Sequence, residues 1–194
     1  MRVLVFHGFG SSPSRIKWLI KPFKDMGLEV KAPKLPSPLV AAYEAMKGER
    51  ADLYAGHSMG GALALLKASE DAKPAIAVAP PTDLKAQMEY MRNNEKLRRV
   101  YEEIVNYLNG NLERMYALSP INRNYDAPIL IIHGTEDDVV PIEQSERFCE
   151  RVPNCKLVKV EGMGHVPKEG QREAIAETIK SFWEEIFGKK NDLA

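Results

Sequence analysis

Ser58 lies in Gly56-His57-Ser58-Met59-Gly60, a G-x-S-x-G run between a strand-like segment, Ala51 to Ala55, and a helix-like segment, Ala62 to Ala68. A strand that enters a helix through this sequence makes a tight elbow, which presents the serine Oγ at the end of a sheet. The turn forces the serine into a strained backbone conformation, and Gly56, Gly60 and Gly61 let neighbouring backbone pass close by. The helix that follows aims its free N–H groups and the positive end of its dipole at the same place. Such a serine is suited to nucleophilic acyl transfer. Its hydroxyl is a weak nucleophile, so the chain must also supply a base to take the proton and an acid to orient the base.

The chain has four histidines: His7, His57, His133 and His165. His57 neighbours the nucleophile on the tight turn, and its side chain is expected to point away from Ser58. His133 ends the apolar run Ile129-Leu130-Ile131-Ile132 and is expected to pack at a strand terminus. His165 sits in the Gly-rich loop Glu161-Gly162-Met163-Gly164-His165-Val166-Pro167, after the strand-like Lys156 to Val160. Catalytic side chains gather on loops after strands, so His165 is the candidate base; the plainer reading is a surface loop histidine. Between Ser58 and His165, the stretch His133-Gly134-Thr135-Glu136-Asp137-Asp138-Val139-Val140-Pro141 offers three consecutive carboxylates.

These stretches resemble the α/β-hydrolase superfamily, in which H-G-x-x-D-x-x-V-P carries the acid on the loop after the penultimate strand. The resemblance implies Asp137 as the acid, with Asp138 as the register-shifted alternative and Glu136 as ordinary solvated charge. It also implies that His7-Gly8-Phe9-Gly10, after the apolar Arg2 to Phe6, forms an oxyanion loop. The backbone N–H groups of Phe9 and Met59 would then meet the oxyanion, and His7 would shape the loop. Ser119-Pro120 with Ala127-Pro128 ahead of His133-Gly134 is similar to the dienelactone hydrolase and prolyl oligopeptidase branches of that superfamily.

The elements that must position these residues alternate along the chain. Strands are expected over about 2–6, 28–32, 51–57, 74–79, 128–133 and 156–160, separated by helical patterns. Ile16, Leu19, Phe23 and Met26 make one apolar stripe closed by Gly27, and Ile175, Ile179, Phe182, Trp183 and Ile186 make another. This alternation predicts a three-layer, doubly wound α/β domain over 1–194, with a mostly parallel sheet of about six strands. It lacks the strands that usually precede the oxyanion strand in the resembled superfamily. Residues 189–194 read as a frayed tail.

The connection between the fourth and fifth strands is too long for a simple crossover, and its pattern is helical. In α/β-hydrolases this is where a cap commonly sits, so residues 82–118 are expected to form a small helical cap; the alternative is that these helices simply cover the sheet. On that expectation Met88, Met91, Tyr101, Tyr107, Met115 and Tyr116 would join Phe9 and Met59 around a small, apolar pocket.

The 194 residues suffice for one domain that buries roughly 70% of its unfolded surface. Lys plus Arg and Asp plus Glu balance at 27 each, so no net field draws in nucleic acid or an anionic membrane. Apolar runs fall well short of the roughly 20 residues that cross a bilayer. The chain enters a strand directly from Met1, so no signal peptide is expected and cytoplasmic residence is the default. Cys149 and Cys155 flank a turn that could bring them together, but a reducing cytoplasm favours free thiols. No Cys/His spacing suggests a metal, and neither G-x-G-x-x-G nor a Walker loop is present, so no cofactor is expected. The expected activity is hydrolysis of a small-molecule carboxylic ester of small to medium acyl chain, by Ser58, His165 and Asp137 through an acyl-enzyme. Thioester or peptide hydrolysis, or binding with little turnover on the same scaffold, are the alternatives.

Overall fold

The structure, a computed structural model, describes residues 1–188. The expected tail over 189–194 lies outside the described residues. Six strands, β1 (Arg2–Phe6), β2 (Glu29–Lys31), β3 (Leu53–His57), β4 (Ala75–Val78), β5 (Ile129–Gly134) and β6 (Cys155–Val160), form one sheet in the order β2-β1-β3-β4-β5-β6. Every pairing is parallel. The expected strands are all present, with ends shifted by a residue or two.

Strand residues alternate between two apolar layers, as they must in a sheet buried on both faces. Leu4, Phe6, Ala77, Ile129 and Ile131 face one layer, which holds α2 (Leu39–Ala45), α3 (Met59–Asp71) and Phe148 of α7 (Glu143–Arg151). Val3, Val5, Ile76, Val78, Leu130 and Ile132 face the other, packed by α1 (Lys17–Asp25) and α8 (Glu169–Phe187). The two helical stripes read from the sequence supply this second layer: Leu19, Phe23, Ile175 and Ile179 are buried there. Both edge strands carry exposed charge, Glu29 and Lys31 on β2 and Lys156 and Lys159 on β6, which discourages edge-to-edge pairing.

The chain steps outward from β1 to β2, then crosses back over β1 to β3 and continues in one direction to β6. The reversal lies between the adjacent strands β1 and β3, so the loops leaving their carboxyl ends part there and open a crevice. Residues 7–10 and Ser58 occupy those two loops.

Between β4 and β5 lie three helices, α4 (Leu84–Arg92), α5 (Arg98–Tyr107) and α6 (Glu113–Tyr116). The free-thiol expectation is corrected: Cys149 and Cys155 form a disulfide, with Cα atoms 4.9 Å apart. The helix stops at Val152 in extended backbone, and Cys155 N–H returns to the Val152 carbonyl at 3.1 Å, so the tight turn brings the two sulfurs together. Among the described residues no helix is long and apolar enough to cross a membrane.

Candidate active site

Ser58 sits at φ 57°, ψ −123°, a conformation that an L side chain adopts only under strain. The surrounding glycines make the turn possible. A Cβ on Gly56 would lie 2.0 Å from the Gly60 carbonyl oxygen, and one on Gly60 would lie 2.1 Å from that of Phe6. The first turn of α3 therefore rests directly on the ends of β1 and β3, where no other residue type fits.

His165 meets the serine from the loop after β6. Its Nε2 is 2.9 Å from Ser58 Oγ, and its Nδ1 is 2.8 Å from Asp137 Oδ2. The Asp137 side chain is fully buried and that of His165 is 14% exposed. Asp137 Oδ1 accepts the N–H groups of Val139 and Val140, both at 2.9 Å, which turns the carboxylate toward the histidine. Burial alone would raise its pKa, but hydrogen bonds from His133, His165 and Val140 outweigh it and hold the carboxyl well below the usual carboxylate range. Asp138 points elsewhere: its side chain is 68% exposed and lies 3.9 Å from Lys96. Glu136 is exposed.

The acid loop and the histidine loop are joined by backbone. Thr135 N–H donates to Val160 O at 3.1 Å, Glu136 N–H to Met163 O at 3.0 Å, and Gly162 N–H to Thr135 Oγ1 at 2.9 Å. Met163 is fully buried and anchors the loop. Beneath it a Cβ on Gly134 would lie 2.0 Å from the Met163 carbonyl oxygen.

The other three histidines build the frame. His57 packs its ring between Trp18 and His165, and it does more than fill space. Its Nε2–H donates to the His165 carbonyl at 2.7 Å, and its ring meets Trp18 edge-on and lies beside that of His165. Burial and the neighbouring His165 lower its pKa to about 4, so it is neutral and the N–H is available. His133 is fully buried at the end of β5. Its Nε2–H donates to Val140 O at 2.9 Å and lies 3.2 Å from Asp137 Oδ2, which leaves Nδ1 to accept from Ser145 Oγ at 2.7 Å. His7 accepts the Leu35 N–H at Nε2 and so carries its proton on Nδ1, 2.8 Å from Gly8 O. Burial lowers its pKa and favours that neutral form. Gly10 N–H to Ser37 Oγ, at 2.8 Å, ties the same loop to its neighbour.

Phe9 and Met59 line a cavity of about 280 Å³ together with Ser58, His57 and His165. Their N–H groups donate to no acceptor among the described residues, so both donors remain open. Of the other residues expected around a pocket, Met91 and Met115 line the cavity, whereas Met88, Tyr101, Tyr107 and Tyr116 do not. Met88 is buried in the core beneath it, and Tyr107 is 49% exposed. On α5 the row Val100 and Ile104, continued from Leu97, faces the cavity, and Tyr101 and Tyr107 flank that row. On α6 Met115 takes the inward position and Tyr116 is left half-buried. Gln87, Val139 and Val140 also line the cavity; sequence reasoning missed them because a helical glutamine and a V-V pair carry no local signal of a pocket. Among the described residues no group of His, Cys, Asp and Glu is arranged to hold a metal ion. Chemically, this site can pass a proton from a hydroxyl to an imidazole whose charge a buried carboxylate balances, beside two open N–H donors.

Among curated proteins, no sequence matches this chain. Solved structures share its fold. Alpha/beta hydrolase domain-containing protein 10 from mouse superposes with a TM-score of 0.75 at 13% identity, covering 95% of this chain and 90% of its own. Est1E from Butyrivibrio proteoclasticus with ferulic acid bound gives 0.72 at 20% identity, covering 97% and 90%. The butyrate-bound esterase Est2 from Thermogutta terrifontis gives 0.73 at 20% identity, covering 98% and 84%. The family model of the prolyl oligopeptidase family matches residues 39–190. That match spans well over half of the sequence, from the start of α2 to beyond the end of α8: the chain belongs to the prolyl oligopeptidase family and is a hydrolase of the α/β-hydrolase type.

Proposed function

We propose that this protein is a serine esterase that cleaves carboxylic esters of small to medium acyl chain. The observation that carries the reading is the unbroken chain from Ser58 Oγ to His165 Nε2 and from His165 Nδ1 to Asp137. Ser58 attacks the ester carbonyl as His165 takes its proton, and Asp137 balances the imidazolium that forms. The N–H groups of Phe9 and Met59 receive the oxyanion. His165 then returns the proton to the leaving alkoxide, and an acyl-enzyme remains. Water activated by the same histidine hydrolyses it and restores the serine hydroxyl.

Residues 82–118 would act as a cap in this reading, which is supported by Met91, Leu97, Val100, Ile104 and Met115 lining the cavity that contains Ser58. At about 280 Å³ the space lies near the lower end of the roughly 300–1,000 Å³ common for ligand pockets, which suits a short acyl group. The family name favours a second reading, peptide hydrolysis. The cavity favours an ester: among the described lining residues there is no Asp, Glu, Lys or Arg to meet a peptide terminus. The bound butyrate of Est2 and ferulic acid of Est1E are uncharged in their acyl bodies, in keeping with such a lining.

Treatment with a fluorophosphonate, followed by intact-mass analysis, is expected to give one adduct on Ser58 and none on Ser58→Ala. A p-nitrophenyl ester panel is expected to show activity rising over the first few carbons, by about 0.8 kcal/mol for each methylene buried, then falling for long fatty acyl chains. Faster turnover of thioesters or peptides than of esters would move the assignment within the hydrolases. Inertness toward all of them, with tight binding of an unconverted small molecule, would replace the enzyme by a receptor.

A further inference from the structure

Among the described residues Gln87 is the one side-chain amide in a wall that is otherwise mainly hydrocarbon. It lies on α4, is 5% exposed, and spans from the helical insertion to the acid loop. Its orientation follows from its partners. The N–H groups of Thr82 and Asp83 both point at one atom of the Gln144 amide, at 3.0 and 3.1 Å, so that atom is the oxygen. Gln144 Nε2 must then face Gln87, at 2.7 Å, and the Gln87 atom it meets must be an oxygen too. The remaining Gln87 atom is therefore Nε2, which donates to the Val139 carbonyl at 2.9 Å. An amide nitrogen carries two hydrogens. The second has no acceptor among the described residues, although the side chain lines the cavity that contains Ser58.

A buried donor without a partner costs free energy, and a few placed polar groups in an apolar pocket set the orientation of the ligand. With the amide locked by Gln144 and Val139, Gln87 cannot rotate to present its oxygen. The cavity therefore offers a donor, and among the described residues no Lys or Arg lines it to neutralise a carboxylate. We propose that Gln87 is a specificity-determining residue whose free Nε2–H binds an uncharged acceptor oxygen in the acyl chain, so that keto-acyl esters are preferred over plain alkyl esters of equal length. The assignment rests on hydrolysis at Ser58.

The test compares p-nitrophenyl hexanoate with its 4-oxo and 5-oxo analogues, as kcat/KM normalised to hydroxide hydrolysis, in the wild type, Gln87→Met and Gln87→Glu. Each protein serves as its own reference, so a general loss of activity from a disturbed acid loop cancels in the ratio. The expected result is a preference of about tenfold for one keto ester in the wild type, a ratio within about twofold of unity in Gln87→Met, and discrimination against the same ketone in Gln87→Glu, which offers acceptors in place of the donor. No keto preference in the wild type, or the same preference in Gln87→Met, overturns the assignment. If neither variant folds, the wild-type panel decides: a preference supports the assignment and uniform values overturn it. Failure of Ser58 to label, with no ester turned over, would remove the esterase reading itself; labelling and turnover without keto preference removes only the role of Gln87.

Discussion

His57 gives the histidine loop a dependence on acid that one substitution can isolate. Its folded-state pKa is lowered from 6.5 to about 4, first by burial and then by the nearby His165. In the unfolded chain it titrates near 6.5. As pH falls below about 6.5 the unfolded state gains a proton that the folded state refuses, so the stability present at neutral pH is lost progressively toward pH 4. Between pH 7 and pH 4.5 this one group accounts for about 2 kcal/mol, from 1.36 kcal/mol per pKa unit and the partial occupancies at each end. His57→Gln keeps an N–H for the His165 carbonyl and removes the titration. Urea denaturation of both proteins at the two pH values measures the difference. The wild type is expected to lose about 2 kcal/mol more than His57→Gln, because Asp137, also depressed, and the other acids are common to both and cancel. Equal losses would mean that His57 is not held neutral in the folded state, and the account of its bond to His165 would fail.

Asp137→Asn is expected to lower kcat by about 10⁴-fold, as in a serine protease triad, and Asp138→Asn to change it by less than about twofold; steady-state ester hydrolysis separates them. Gly134→Ala places a methyl group 2.0 Å from the Met163 carbonyl and must push the histidine loop outward, so kcat is expected to fall by about 10²-fold. Gly170→Ala, with nothing within 4 Å of the added carbon, serves as the silent control in the same assay.

The elbow was legible because its physics is local: strand, tight turn and helix follow one another within a few residues, and the glycines mark where backbones touch. His165 was legible through its place on a loop after a strand that an apolar run marked, whereas chain order left three consecutive carboxylates and only the superfamily resemblance singled out Asp137. What stayed hidden depends on distance in sequence. Gln87 and Gln144 are 57 positions apart and each reads as a solvated helical residue until the fold brings them to 2.7 Å. The supporting roles of His57 and His133 likewise need the carbonyls of His165 and Val140, which no pattern announces. The pocket tyrosines were misplaced because amphipathic periodicity identifies a buried stripe without telling its centre from its margins. The cysteines were misjudged because compartment, a prior about surroundings, was weighed above the reach of a short turn.

On the proposed mechanism, the torsion at Ser58 sets thermodynamic preference against activity at a single codon. A conformation of this kind costs about 1–3 kcal/mol for a residue with a Cβ and almost nothing for glycine. The substitution that most relieves the backbone there is therefore the one that deletes the reactive oxygen. A chain selected only for persistence, as in a thermal screen blind to turnover, would drift toward glycine at position 58 and end as an inert scaffold. If Ser58 is the proposed nucleophile, a serine at this torsion trades backbone ease for a reactive oxygen.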